Sequence, residues 1–270
     1  MSFYTSLNGL KNAQTELSVI ANNLANAETT GFKKSRINFA DIVSGSASSN
    51  PKLVKGIGSG VQSIDQNFSL GPTQQTGSAL DLAINGEGFF TKVSPVTGKT
   101  FYTRNGNFGM DGNGFITDVQ GNRLQILPVD ATGAVTANVP QDAQVAATNA
   151  AGAEILSVTV KSDGAVIAAY SDGTVSEAGK IALASFISPP GLLQIGNQDW
   201  LASGISGPAT YGQPGAARFG TMLSGSLEQS NVDIAEEMVG LITAQRYFQA
   251  NAKAIDTATQ LSQTIINLRT

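Results

Sequence analysis

Few side chains in this sequence are suited to chemistry, and their spacing argues against catalysis. The 270 residues include no cysteine and no histidine. That removes thiolate nucleophiles, disulfides, most zinc-ligand sets and the side chain that most often moves protons near neutral pH. Carboxylates and lysines remain. Glu236 and Glu237 are adjacent, but neighbours on a helix do not face each other and cannot flank one scissile bond. Asp233 lies three residues before Glu236, which is capping-box spacing with two acids at the positive end of a helix dipole. Gly86-Glu-Gly88 is too short for a dinucleotide fingerprint, which also needs a helix directly after it, and reads as a strand break. Asp111-Gly-Asn-Gly114 with Asp118 lacks the bidentate glutamate that closes a calcium loop; a pair of type I′ turns is expected there. No catalytic, cofactor or metal site is predicted, and the chain is read as a non-enzyme.

Composition narrows the partners. Hydrophobic residues make up 41% of the chain, enough for a core. Charged residues make up 13%, about half the roughly 25% of ordinary soluble domains, so copies repel one another weakly. The 16 basic residues are scattered and the net charge is −4, which does not suit nucleic acid. No apolar run approaches the ~18 residues of a membrane span, and direct membrane insertion is not expected. The opening Met1–Leu10 has neither the basic start nor the continuous apolar stretch of a cleaved signal peptide. Export, if it occurs, is expected without one.

These polar groups must be positioned by elements whose period changes along the chain. Phe3, Leu7, Leu10, Gln14, Leu17, Ala21 and Leu24 recur at alternating steps of four and three, a heptad seam with one polar member. Thr29, Thr30 and Gly31 stop this helix near Ala27 or Glu28. At the other end Ile234, Met238, Leu241, Gln245, Phe248, Ala252 and Ile255 repeat the pattern, and after a register shift Leu261, Ile265 and Leu268 extend the stripe. Between the two helices the period falls to 2: Leu80, Leu82 and Ile84; Phe115, Thr117 and Val119; Val158 and Val160; Ile181 and Leu183. Asn-Gly and Asp-Gly pairs punctuate these strands as hairpin turns.

The predicted fold is therefore α+β. Residues 1–36 and 225–270 form a terminal coiled coil, 37–75 an extended arm whose Ser44–Ser59 stretch is rich in small polar residues, and 76–224 a central antiparallel β-rich domain. Between Met1 and Ala27 the only charged side chains are Lys11 and Glu16. A helix with so little face built for water needs further copies to cover it. Packing between subunits is assigned to Phe3, Leu7, Leu10, Leu17, Leu24, Ile234, Met238, Leu241, Phe248, Ile255, Leu261, Ile265 and Leu268. Asn has poor helix propensity, so the cluster Asn22, Asn23 and Asn26 is read as hydrogen bonding between subunits.

Three stretches carry a resemblance. Leu17-Ser-Val-Ile-Ala-Asn-Asn-Leu-Ala-Asn-Ala-Glu-Thr-Thr-Gly-Phe-Lys33 resembles the N-terminal signature of the flagellar rod and hook proteins. Ser226-Leu-Glu-Gln-Ser-Asn-Val-Asp-Ile-Ala-Glu-Glu-Met238, then Ala244-Gln-Arg-Tyr-Phe-Gln-Ala-Asn-Ala-Lys-Ala-Ile255, resembles their C-terminal signature. Leu80-Asp-Leu-Ala-Ile-Asn-Gly-Glu-Gly-Phe-Phe90 with Tyr102-Thr-Arg-Asn-Gly-Asn-Phe108 resembles the opening strands of their β domain. The signature positions are Asn22, Asn23, Asn26, Gly31, Phe32, Ser230, Asn231 and Val232. The resemblance implies a helical tube of many copies, with terminal helices in concentric layers around an export channel and β domains outside. It also implies export through the flagellar type III apparatus, no cofactor, and contacts with the other axial proteins: distal rod, hook cap and hook–filament junction. The location implied is the extracellular hook or the basal body.

Within the family, Phe39-Ala-Asp41, the short arm before Gly56-Ile-Gly58 and the ending Ile265-Ile-Asn-Leu-Arg269 look hook-like. Length favours a rod protein, because many hook proteins carry an extra outer β domain for which Leu127–Ile181 leaves little room. The expectation taken forward is a hook subunit that transmits motor torque, with the distal rod as the alternative. A carboxylate hydrolase or a secreted adhesin would leave the nearly uncharged terminal helices unexplained.

Overall fold

The structure is a computed structural model that describes residues 2–44, 55–130 and 132–267. Residues 45–54 of the arm, the seam residue Leu268, and Arg269 lie outside the described residues. Helix α1 covers Ser2–Ala25 and helix α2 covers Ile234–Asn267. α1 ends two residues before the predicted stop. The Asn26 side-chain amide donates to the Asn22 carbonyl at 2.9 Å, sharing it with the helical N–H of Asn26 at 3.2 Å, and the next N–H, of Ala27, bonds the nearer Leu24 carbonyl at 3.3 Å, so the last turn tightens and the α-helix stops. α2 begins where predicted. Asp233 Oδ1 accepts from the N–H groups of Ala235 at 2.8 Å and Glu236 at 3.2 Å, satisfying two of the unpaired donors at the helix start. The Glu236 carboxylate does not return to the cap; it pairs with Lys34 Nζ at 2.9 Å.

Strand β1, Ser35–Ser44, pairs antiparallel with β2, Lys55–Gln66, from Ser35 opposite Gln66 to Ser44 opposite Lys55. The extended arm is thus a long hairpin. The helices and this hairpin form one compact unit, and residues 28–33 with 68–231 form a second. The second unit takes in residues on both sides of 76–224 because Thr73–Gln75 pairs with Ser226–Glu228.

The second unit is antiparallel β. Its main sheet runs Ile155–Val160, Ala165–Tyr170, Val175–Ile181, Arg123–Leu127, Phe89–Val93, Thr100–Thr103, Asp199–Leu201, Leu193–Gly196 in spatial order. Phe90, Phe108, Ile116, Leu124, Ile126, Val166, Ile181, Leu183 and Met222 form its larger core. Phe89, Tyr102, Phe186 and Trp200 form a second cluster with edge-to-face ring contacts such as Tyr102–Phe186 at 4.8 Å. Each such side chain contributes about 1.5–3 kcal/mol by burial. Val158, Val160, Ile181 and Leu183 point inward as their alternation predicts. Phe115, Thr117 and Val119 do not: Ile116 is the buried member, and Val119 stands on a turn, almost fully exposed.

The turns differ from the predicted type. At Asp111–Phe115 only Gly114 has positive φ, at 79°. Asp111 Oδ1 accepts from the N–H groups of Asn113 and Phe115 at 2.9 and 2.8 Å, and Gly114 N–H donates to the Asp111 carbonyl at 3.1 Å. This is a type I turn closed by a left-handed glycine, not a pair of type I′ turns, because the carboxylate holds the chain open for one more residue. The same device recurs at Asp118–Gly121 and Asn149–Gly152.

Candidate assembly interface

Three contacts fix how the helices pair. A Cβ built on Gly9 would lie 2.5 Å from Asn251 Oδ1, and one on Gly240 would lie 3.4 Å from Ile20 Cδ1. Asn23 Nδ2 donates to Glu237 Oε2 at 3.3 Å. From Gly9 to Asn23 α1 advances 14 residues (23 − 9) while α2 retreats 14 from Asn251 to Glu237 (251 − 237). The helices therefore run antiparallel in step.

The inward row on α1 is Gly9, Ala13, Ile20 and Asn23, one residue earlier than the predicted stripe at Leu10, Leu17 and Leu24. One residue rotates a helix face by about 100°, so the leucine stripe lies on an adjoining face. There Leu7, Leu10, Leu17 and Leu24 are only half-buried and Phe3 is exposed. On α2, Glu237 and Ala244 are buried and Leu241, Phe248 and Ile255 are half-buried toward α1. Ile234 and Met238 are exposed, as are Leu261 and Ile265 at 65% and 60%. Small residues at the seam let the backbones approach closely; the α1 leucines beside it are covered in part, while Ile234, Met238, Leu261 and Ile265 of α2 stand exposed.

Polar contacts lock the hairpin to the helices. The Asn23 carboxamide donates to the Ser35 carbonyl and accepts from the Ser35 N–H, both at 2.9 Å, copying the pairing of a neighbouring strand. Asn12 Nδ2 donates to the Ser59 carbonyl at 2.9 Å. Asn23 is thus committed within its own chain, Asn22 is exposed, and Asn26 closes the helix end.

In the second unit the three signature stretches meet. Gly31, at φ 71°, donates its N–H to the Glu228 carbonyl at 2.8 Å, and a Cβ there would sit 2.6 Å from Asn105 N. Phe32 is buried beside it in sequence. The Lys33 ammonium pairs with Glu228 and donates to the Ser69 carbonyl at 2.7 Å. Arg104 Nη1 reaches Glu228 Oε2 at 3.3 Å, and Gly71 N–H donates to Glu228 Oε1 at 3.0 Å. Lys33 has 0% and Glu228 2% side-chain exposure. Burial pushes the Lys33 ammonium below its ordinary value and lowers Arg104 as well, and Glu228 opposes both shifts. Ser230 is buried, and Asn231 Nδ2 donates to Ser69 O at 3.2 Å and Oγ at 3.0 Å.

Comparison with known proteins accounts for this convergence. Residues 3–33 match the flagella basal body rod protein family, 83–168 the flagellar hook protein FlgE/F/G D1 domain, and 223–268 the flagellar basal body rod FlgEFG protein C-terminal family. The chain is 39% identical to the flagellar basal-body rod protein FlgG of Bacillus subtilis, over 99% of this chain and 98% of that one. It is 36% identical to the FlgG of Caulobacter vibrioides, over 98% of each. The flagellar hook protein FlgE of Salmonella typhimurium is 27% identical over 411 aligned positions that cover both chains fully.

The chain belongs to the flagellar rod and hook protein family.

As a rod/hook protein it is related to structural components of the flagellum rather than to enzymes. Among the described residues no helix is long and apolar enough to cross a membrane. The signature positions play different parts. Asn23 ties β1, Gly31 and Phe32 lead into the Glu228 cluster, and Ser230 and Asn231 follow it. Val232 sits half-buried before α2. Sequence reasoning did not single out Lys33, Arg104 and Glu228. The signal available was that each of the three falls within one of the signature stretches, in a chain with few charges.

Proposed function

We propose that this chain is a rod subunit of the flagellar basal body, in the distal rod or drive shaft, whose terminal helices pack against further copies in a helical tube. The observation that carries the reading is size together with likeness. The rod-named relatives match this chain end to end at 39% and 36% identity. Against the hook relative, 141 aligned positions (411 − 270) have no residue in this chain. That deficit favours the rod over the hook to which Phe39-Ala-Asp41 and the chain ending point. The half-buried leucine stripe of α1 and the exposed apolar residues of α2 supply surface for self-association. Partners on this reading are other copies, the neighbouring axial proteins and the type III export apparatus, with delivery that needs no cleaved signal.

Deleting the gene tests it. Basal bodies with rods that stop short of the outer membrane are expected, and purified protein should form straight tubes. Finished rods that lack only a hook, or tubes that curve and supercoil, would return the chain to the hook.

A further inference from the structure

A recess of about 310 Å³ opens beside the aromatic cluster of the β unit, at the lower end of the roughly 300–1,000 Å³ of small-ligand sites. Phe68, Phe89 and Phe186 line it, and Phe89 meets the other two rings edge to face at 5.2 and 5.8 Å. Ile187 extends this apolar lining to the surface, where it is 80% exposed. Such rings accept the edge of a further aromatic ring or a branched aliphatic group.

The polar groups of this recess are not matched within the chain. Arg218 and Glu87 line its mouth, both exposed, and neither makes an ion pair among the described residues. Arg104 lines it as well: its Nη atoms reach Glu228 and the Gly86 carbonyl, and its buried Nε has no partner among the described residues. Ser185, 5% exposed, lines it without a side-chain hydrogen bond. With Lys33, three cations stand here against the carboxylates of Glu228 and Glu87, so one positive charge lacks a counterion. The mouth is also braced. Phe219 N–H donates to the Ala216 carbonyl at 2.9 Å, Gly215 N–H to the Gly220 carbonyl at 3.0 Å and Gly220 N–H to the Glu87 carbonyl at 2.8 Å. This closure holds Ala217 at φ 49°, a conformation alanine seldom adopts, directly before Arg218.

We propose that this recess binds a monocarboxylate carrying one large apolar group, which enters among Phe68, Phe89 and Phe186 while the carboxylate pairs with the Arg218 guanidinium. An apolar floor disfavours phosphate and other compact anions, which have no stem to bury and would lose their hydration, and the one unmatched charge calls for one carboxylate. Arginine presents a planar fork that meets a carboxylate with two parallel hydrogen bonds. The C-terminal residue of a peptide and a free small acid share this chemistry. The peptide end also carries a backbone N–H for Glu87 to accept.

Trp200 reports occupancy, because its ring lies 5.4 Å from that of Phe68 and 5.9 Å from that of Phe89. The full chain is titrated with N-acetyl-L-phenylalanine, with its carboxamide and with 3-phenylpropionate, and tryptophan fluorescence is followed. Saturation by N-acetyl-L-phenylalanine is expected, with the carboxamide weaker by about tenfold or more. Arg218→Ala should weaken the acid about tenfold and leave the carboxamide unchanged, while Ile187→Ser should weaken both. Both side chains are exposed, so the urea midpoint should hold; if one variant shifts it, the other decides. Tighter binding of N-acetyl-L-phenylalanine than of 3-phenylpropionate upholds the site and identifies a peptide end, and equal binding of these two acids upholds it and identifies a free acid. Three results overturn the inference: no saturation by either acid up to ~10 mM, equal binding of N-acetyl-L-phenylalanine and its carboxamide, or unchanged affinity for that acid in either variant that keeps its midpoint.

Discussion

Replacing Glu228 with glutamine should unfold the β unit at markedly lower denaturant, and the size of the effect follows from the number of groups that carboxylate serves. Glu228 is 2% exposed and faces Lys33, Arg104 and the Gly71 N–H. Glutamine keeps the shape and one acceptor oxygen but removes the only countercharge Lys33 has within ion-pair distance among the described residues. Removing one partner of a buried pair typically costs about 3–5 kcal/mol. Lys33→Met should cost less, about 1–3 kcal/mol, because Glu228 then keeps Arg104 and Gly71 while one ammonium is no longer buried. The single tryptophan, Trp200, is buried in this unit, so its fluorescence in a urea titration reports the unit directly. A loss below about 1 kcal/mol for Glu228→Gln, or a loss for Lys33→Met equal to it, would refute the account of Glu228 as the shared anion.

Acid should destabilise the same unit. Asp118 and Asp163 lie below their ordinary values although burial alone would raise them, because hydrogen bonds from Asn122 and Lys92, and from Ala165 and Lys180, outweigh it. Turn hydrogen bonds lower Asp130 and Asp172. A carboxyl lower in the folded than in the unfolded chain stabilises above the unfolded value near 4 and loses that contribution as pH falls through the folded value. Asp199, raised by burial against Lys92, acts with the opposite sign. The midpoint in urea should therefore fall below about pH 4, and Asp118→Asn should flatten that limb. Asn23→Ala should cost about 1–3 kcal/mol by leaving the Ser35 N–H and carbonyl without their partner, read as faster hydrogen exchange in β1. Ala13→Leu should overpack the helix seam by about 1–3 kcal/mol in the monomer, whereas Leu17→Asp should shift the monomer melt less and abolish tubes; equal monomer effects would mean that both residues face α2.

The sequence made the two helices, the β-rich middle and the α2 cap legible because each rests on local physics: apolar period, turn chemistry, and an acid three residues ahead of a second acid. The row that joins the two helices within the chain lies one residue away from the heptad read for packing between subunits, for a physical reason. Reading a heptad from apolar content selects the largest side chains, Leu10, Leu17 and Leu24. The chain instead joins its own helices through Gly9, Ala13, Asn23, Glu237 and Ala244, which are small or hydrogen-bonded and let the backbones approach. A stripe can be apolar without being the stripe that folds the monomer, and periodicity alone carries no information on which copy supplies the cover. The Glu228 cluster was illegible for a related reason. Its members are 71 residues (104 − 33) and 124 residues (228 − 104) apart, and only the folded chain brings the three signature stretches to one anion. The strings that identify the family are therefore not all interface. Gly31, Lys33, Arg104 and Glu228 join three distant segments within the β unit itself.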